Sequence, residues 1–336
     1  MTVAAKAITR LFTPLMRDRA TILCLHRIQD LDRGTPGHDP QSLRTVLGQL
    51  RREGFPLVGL QDLFRWLAEG DRRASRAVAF TLDDGYADQA ELASRLFGEF
   101  DCPATVFVTT GFLDGRLWLW WDQIEYLFGQ TRRPLVEVEL GGTVLRYQRD
   151  EVRGGAGGYD QAQADFTARC KLVPEVEKAA AILRLATAVE VELPETPPAS
   201  YAPMSWDALR ACERRGFTFG PHTVTHPVLS RTTDEQSHCE ITQSWARLVA
   251  EAHAPLPIFC YPGGDPWEYG AREFATLRQL GAIGAVAGSQ TYADGRTFLA
   301  EPDARFAVPR FGYPSDPRAV LQYASGLERV KQILRS

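Results

Sequence analysis

The chain has 336 residues, with 38 basic against 42 acidic side chains and a formal net charge of −4. Hydrophobic residues make up 44% and charged residues 24%, proportions that exclude intrinsic disorder as the dominant state. A net negative chain lacks the basic surface of a sequence-independent nucleic-acid binder, and no apolar run reaches the roughly 18 residues of a membrane span.

Val3 to Met16 is helix-like, with Ile8, Leu11, Phe12 and Leu15 at helical spacing, basic Lys6 and Arg10 between them, and Pro14 weakening the end. It reads as a terminal helix packed on the body, or as an interfacial helix touching an anionic membrane. It has no continuous apolar stretch of signal-peptide type. The cysteines, Cys24, Cys102, Cys170, Cys212, Cys239 and Cys260, form neither a CxxC pair nor a zinc knuckle. Reduced thiols and a cytoplasmic protein are expected, with contact to the inner face of the membrane as the alternative.

Thr21 to Leu25 is a short apolar run ending at His26-Arg27 and reads as a buried strand. Helices are expected over Pro40–Gly54, with Leu43, Val46, Leu47 and Leu50 on one face, and over Leu60–Glu69. Ala77–Leu82 is a second strand, ending at Asp83-Asp84-Gly85, and Ala104–Val108 a third. Between Gly115 and about Ser200 the pattern breaks. Leu117–Phe128 is unusually aromatic, Val136–Leu140 and Thr143–Tyr147 read as a hairpin across Gly141-Gly142, and Gly154–Gly158 reads as a loop. Helices follow, and Pro194, Pro197, Pro198 and Pro203 mark a stiff connector. The alternation resumes with a helix from Ser205-Trp206, a strand at Phe217–Phe219, a helix over Asp234–Ala252 and a strand at Ile258–Tyr261. A helix to Leu280, strands at Gly284–Val286 and Arg305–Phe311, and a C-terminal helix complete the chain. Alternating buried strands and helices indicate a parallel α/β sheet or barrel. One domain over residues 1–336 is expected, with an insertion at about 115–204.

Candidate chemistry gathers at the C-terminal ends of the predicted strands, the edge where α/β active sites form. Two adjacent carboxylates, Asp83 and Asp84, repel unless a cation or proton separates their roles; a turn with a helix N-cap is the structural alternative. His222 and His226 stand four apart, a spacing that places two imidazoles on one helical face and is common in metal-ligand pairs. With only 6 histidines in the chain, two within five residues carry weight. One carboxylate added to them makes a His-His-Asp set suited to zinc or another divalent first-row metal.

Thr81-Leu82-Asp83-Asp84-Gly85 followed by His222-Thr223-Val224-Thr225-His226-Pro227 resembles the polysaccharide deacetylase family, carbohydrate esterases of the chitooligosaccharide-deacetylase homology type. The resemblance covers most of the chain outside the insertion. It implies a distorted seven-stranded (β/α) barrel, with Asp83 as catalytic base and Asp84, His222 and His226 as metal ligands. Thr223 would brace the histidine loop, and the Tyr261 backbone N–H in Tyr261-Pro262 would stabilise an oxyanion. The segment Ile258–Pro262 lacks the arginine that the family pairs with its base, and Arg310, on the last predicted strand, is the candidate cation in its place. No histidine follows His253, so the family's C-terminal acid motif is missing. Leu25-His26-Arg27 resembles the exopolysaccharide branch, whose acid histidine ends the first strand, and this implies His26 as the acid.

The implied activity is metal-dependent removal of N-acetyl groups from an amino sugar in a glycan or glycolipid precursor. Hydrolysis of non-sugar amides, phosphoryl transfer and an inactive glycan-binding module are the competing readings. Phosphoryl transfer leaves the paired histidines without a role, and the full Asp83, Asp84, His222 and His226 set speaks against an inactive module. Trp118, Trp120 and Trp121 read either as an anchor for the insertion or as a wall for sugar or membrane.

Overall fold

The computed structural model describes residues 13–150 and 158–335. Most of the helix expected from Val3 and of the loop at Gly154–Gly158 lies outside the described residues; Thr13–Met16 is a short 3-10 turn. In chain order the strands are β1 (Arg19–Leu25), β2 (Val78–Asp84), β3 (Ala104–Val108), β4 (Leu135–Leu140) and β5 (Thr143–Gln148). They continue as β6 (Phe217–Pro221), β7 (Ile258–Cys260), β8 (Gly284–Ser289), β9 (Ala293–Asp294) and β10 (Val308–Gly312).

The main sheet runs β6-β3-β2-β1-β10-β8-β7, and every pairing along that path is parallel. Its two edge strands approach each other where the Leu256 N–H donates to the Phe219 carbonyl at 2.7 Å. The result is a nearly closed seven-stranded parallel barrel. The short strand β9 adds antiparallel to β1.

Side chains of a strand alternate between its faces, and that alternation explains the two layers of core. Ile22, Ala79, Phe107, Ile258, Val286 and Val308 come from six different strands yet pack in one cluster, the barrel interior. The helix Leu60–Glu69 packs Leu60, Leu63, Phe64 and Leu67 against the same cluster. The other face of the strands, with Leu23, Leu25, Phe80, Leu82 and Val106, meets Leu43, Val46, Leu47 and Leu50 of the helix Pro40–Arg52. That helix starts where Asp39 accepts hydrogen bonds from the Gln41 and Ser42 N–H groups.

The segment between Gly115 and about Ser200 builds a core of its own. Helices Trp120–Gln130, Asp160–Cys170 and Glu175–Val189 pack with the antiparallel β4–β5 hairpin around Ile124, Phe128, Val138, Phe166 and Leu185. The last barrel strand begins at Val308 rather than Arg305, because Ala304–Phe306 forms a 3-10 turn that packs Phe306 against Phe274. β2 is longer than expected and carries both aspartates to its end.

Closure of the barrel depends on Gly220, where a Cβ would lie 2.5 Å from the Ile258 carbonyl oxygen and 2.7 Å from the Phe107 ring. Gly220→Ala should therefore cost about 1–3 kcal/mol by overpacking, read as a lower urea midpoint. An unchanged midpoint would show that the closure does not need this close approach.

Candidate active site and metal centre

The C-terminal strand ends open into a cleft of about 390 Å³ that brings together Cys24, His26, Asp83, Asp84, His222, His226 and Arg310. Period-two alternation along β2 carries Ala79, Thr81 and Asp83 on one face, so Asp83 stands at the top of the barrel interior. The register of β10 shifts between Pro309 and Arg310, an irregularity of the kind that re-aims a side chain. Arg310 reaches Asp83 with two hydrogen bonds, Nη1 to Oδ1 and Nη2 to Oδ2, both 2.8 Å. Nη1 also donates to Thr81 Oγ1 at 2.9 Å. Both side chains of the pair are only 4% exposed. Burial alone would push the Asp83 carboxyl up, but the Arg310 guanidinium outweighs it and holds Asp83 well below the usual carboxylate range.

Two thiols complete the surroundings of Asp83. Cys24 Sγ and Cys260 Sγ donate to Oδ2 at 3.3 and 3.6 Å. Burial pushes both thiols far up, so they stay protonated donors. Spaced far apart in sequence, they meet only because both face the barrel interior.

Asp84 has a different environment. Its backbone turns to φ 82, and both carboxylate oxygens are buried with no hydrogen-bond partner in the protein. Oδ1 lies 3.6 Å from His222 Nε2 and 3.4 Å from His226 Nε2. Ligand atoms around one tetrahedral zinc at ~2.0–2.1 Å stand ~3.3 Å apart, so these donors fit a single divalent ion. His222 Nδ1 is 2.8 Å from the Cys260 carbonyl, a contact that turns the Nε2 lone pair toward Asp84. Burial lowers the His222 imidazole to about 4 and the His226 imidazole well below its ordinary value. Both are therefore neutral at physiological pH, the form that binds metal. Burial, then the neighbouring Asp83, pushes the Asp84 carboxyl up, as expected for a carboxylate that lacks a counter-charge.

The two histidines do not share a helix. They flank a loop in which Thr223 and His226 have φ of 67 and 60. The His226 N–H donates to Thr223 Oγ1 at 3.0 Å. Glu240, from the helix Asp234–Glu251, accepts from the Val224 and Thr225 N–H groups at 2.7 and 2.9 Å. Sequence reading passed over Glu240, because an acid on an amphipathic helix looks like a solvated one.

His26 ends β1 on the Asp83 side of the cleft. A ring nitrogen of His26, Cys24 Sγ and an Asp83 oxygen all lie within 4.8 Å of one another. Desolvation by the cleft walls lowers the His26 imidazole, and Asp83 opposes that fall. Gln89 Nε2 donates to both the His26 and the Asp83 carbonyls, tying the two strand ends together.

Tyr261 is placed differently from expectation. Its N–H donates to the Val286 carbonyl at 3.3 Å, within the β7–β8 pairing, and its ring is buried against Tyr269. Pro262 and Gly263 are the residues of this segment on the cleft wall. The Gly263 N–H, unlike that of Tyr261, is not taken by the strand ladder.

The insertion forms part of the cleft. Trp120, Trp121, Thr167 and Lys171 line it. The Trp121 ring packs edge-on against His226 with centroids 4.4 Å apart, and its Nε1 donates to the Tyr86 hydroxyl at 3.0 Å. Trp118 instead packs with Tyr126 and Tyr201, so the tryptophan run is divided between anchoring and lining.

A protein-family model described as polysaccharide deacetylase matches residues 70–282. No curated protein matches the chain in sequence. Similar solved structures include the Streptococcus pyogenes deacetylase PplD in complex with acetate, with a TM-score of 0.59 and 15% identity over 92% of this chain and 99% of that one. IcaB from Ammonifex degensii has a TM-score of 0.54 and 16% identity over 92% and 97%. The BpsB deacetylase domain from Bordetella bronchiseptica has a TM-score of 0.51 and 13% identity over 88% and 96%. At these identities the likeness concerns the fold.

The Arg310–Asp83 pair generates a stability prediction. Arg310→Met leaves a buried carboxylate unpaired, which should cost about 3–5 kcal/mol at neutral pH. Asp83, held low in the native protein, contributes stability above its unfolded pKa; in the variant burial raises it, so stability falls as pH rises through the carboxylate range. Urea unfolding should then show a gap between the two proteins that narrows from pH 7 to pH 4. A constant gap would mean the arginine contributes packing only.

Proposed function

The chain belongs to the polysaccharide deacetylase family, and from that premise we propose a metal-dependent N-deacetylase that acts on an N-acetylated amino sugar within a glycan or glycolipid. The observation that carries this reading is the unequal treatment of two adjacent aspartates. Asp83 is ionised by a two-point arginine contact, while Asp84 faces two neutral imidazoles with both oxygens unpaired. Asp84, His222 and His226 would hold the metal, and two imidazoles with one carboxylate suit zinc. Such an ion supplies Lewis-acid polarisation of a carbonyl and a lowered pKa for a water.

The protein groups carry the remaining chemistry. Asp83 accepts the proton of the attacking water, and Arg310 fixes its orientation and keeps it unprotonated. The Gly263 N–H on the cleft wall is the backbone donor available to a developing oxyanion. His26, on the Asp83 side of the cleft, supplies the proton that the leaving amine needs, since an amine anion is too basic to depart. Water adds to the acetamide carbon, the C–N bond breaks, and acetate and a free amino sugar result.

Trp120 and Trp121 give the cleft flat apolar walls of the kind on which sugar rings pack. Release of acetate from N-acetylated saccharides, but not from simple non-sugar amides, separates this reading from a general amidase.

Three substitutions divide the roles. His222→Ala should lose bound metal and activity together; full metal occupancy would exclude His222 as a ligand. Asp83→Asn should keep the metal and lower kcat by about 10²-fold or more, whereas near-normal turnover would move the base elsewhere. His26→Ala should keep the metal and the melting temperature, lower kcat, and abolish the alkaline limb of the pH–rate profile. A wild-type profile in that variant would assign the proton to another group.

A further inference from the structure

The loop after β7 holds a third buried carboxylate on the cleft wall, one that the reaction described above does not use. Glu268 is 1% exposed and lines the same cleft as the metal donors. Its backbone is held at both ends: its N–H donates to the Asp265 carbonyl, and its carbonyl accepts from the Ser230 N–H, both at 2.9 Å. Its Oε2 accepts from the Asp265 N–H at 2.8 Å. Oε1 is buried and has no hydrogen-bond partner in the protein. The carboxylate occupies the space a side chain at residue 263 would need, since a Cβ there would lie 2.1 Å from Oε2. Gly263, at φ 74, thus serves both the turn and the seating of Glu268.

One charged group faces this oxygen from across the cleft. Lys171, just past the end of the insertion's helix Asp160–Cys170, places Nζ 3.8 Å from Glu268 Oε1. That separation is too long for a direct hydrogen bond. At that separation one oxygen atom can stand within about 2.7–2.9 Å of both groups at once. The charges select what that atom belongs to. A cation meets the Lys171 ammonium, and among the described residues Glu268 belongs to no group of metal-type donors. An anion meets the Glu268 carboxylate. A neutral hydroxyl donates its hydrogen to Oε1 and offers a lone pair to Nζ, so it satisfies both.

We infer that Glu268 and Lys171 form a clamp for a sugar hydroxyl of the substrate, and that this clamp makes the enzyme specific for saccharides over other acetamides. The inference rests on the deacetylase reading and deepens it. The barrel loop supplies the acceptor and the insertion supplies the donor, so the insertion takes part in substrate choice while the chemistry stays on the barrel. A buried acceptor left unmade is costly, and a site built around a substrate hydroxyl strongly rejects an analogue that lacks it.

The test uses the full chain, zinc-loaded, with an N-acetylglucosamine oligosaccharide and its monodeoxy analogues. Acetate release gives kcat and KM, and calorimetry of the corresponding deacetylated oligosaccharides gives binding. The wild type should lose about 10- to 100-fold in kcat/KM and in affinity with one particular deoxy analogue, the scale of a hydrogen bond to a charged group. Glu268→Gln presents an N–H to the cleft in place of the acceptor. It should raise KM for the parent sugar by a similar factor, change kcat far less, and no longer distinguish the parent from that analogue. Lys171→Met, at a partly exposed position, should weaken the same discrimination and serves if the buried variant does not fold. Wild-type kinetics and binding that tolerate every deoxy analogue within threefold would overturn the clamp, as would full discrimination retained in both variants. Hydroxyl-selective binding without acetate release from any sugar would leave the clamp standing and overturn the deacetylase reading instead.

Discussion

An ion pair inside the barrel sets the terms for the rest of the site. Arg310 and Asp83 lie between an apolar plug, formed by Ile22, Ala79, Phe107 and the helix Leu60–Glu69, and the open cleft above. Neither charge would be tolerated there alone, because desolvation of an isolated ion costs several kcal/mol. Paired at two points, and hydrogen-bonded to Thr81, Cys24 and Cys260, they form a fully connected polar layer across the barrel. Asp83 is thereby kept ionised and fixed in place, which is what a general base requires. The next residue, Asp84, turns away through a positive φ and takes up the opposite role, a carboxylate whose oxygens have no protein donor.

Around that centre the division between barrel and loops follows from rigidity. The strands hold Asp83, Asp84 and Arg310, and β1 and β6 end immediately before His26 and His222. The loop between His222 and His226 is braced from within by Thr223 and from outside by Glu240. The insertion supplies the walls, through Trp120 and Trp121, and the ammonium of Lys171. Sites placed on regular elements hold their geometry best; here Asp83, Asp84 and Arg310 sit on strands and His26 and His222 follow strand ends, while His226, Gly263 and the groups assigned to recognition come from loops and the insertion.

Much of this was legible because it is local. Apolar runs such as Ala104–Val108 marked buried strands, the matched face of Leu43, Val46, Leu47 and Leu50 marked a helix, and Asp83-Asp84 and His222-x-x-x-His226 stood out as chemistry at strand ends. Non-local features were harder to read. Arg310 lies 227 residues from Asp83, and only closure of the sheet, with β10 next to β1, brings them together. Cys24 and Cys260 looked like scattered thiols because nothing in their spacing shows that both point inward. The helical reading of the two histidines used the right spacing with the wrong backbone, since residue spacing carries no information on φ. The oxyanion donor was assigned to Tyr261 from a motif, whereas the β7–β8 ladder uses that N–H and leaves Gly263 on the cleft wall. Glu268 and Lys171 carried no signal at all, being ordinary charges until the insertion folds over the barrel.

The central claim is that adjacent aspartates divide the work, Asp84 toward metal and Asp83 toward arginine. The cleft contains rival donor groups, Cys24 with His26 and Asp83, and Asp83 with His222 and Cys260, so the claim can fail in a definite way. Anomalous X-ray diffraction from zinc-loaded crystals, collected on both sides of the zinc edge, locates the ion directly. The account predicts one peak bonded to Asp84, His222 and His226, with Asp83 still paired to Arg310. A peak bonded to Asp83 or to either cysteine, with Asp84 unligated, would contradict it.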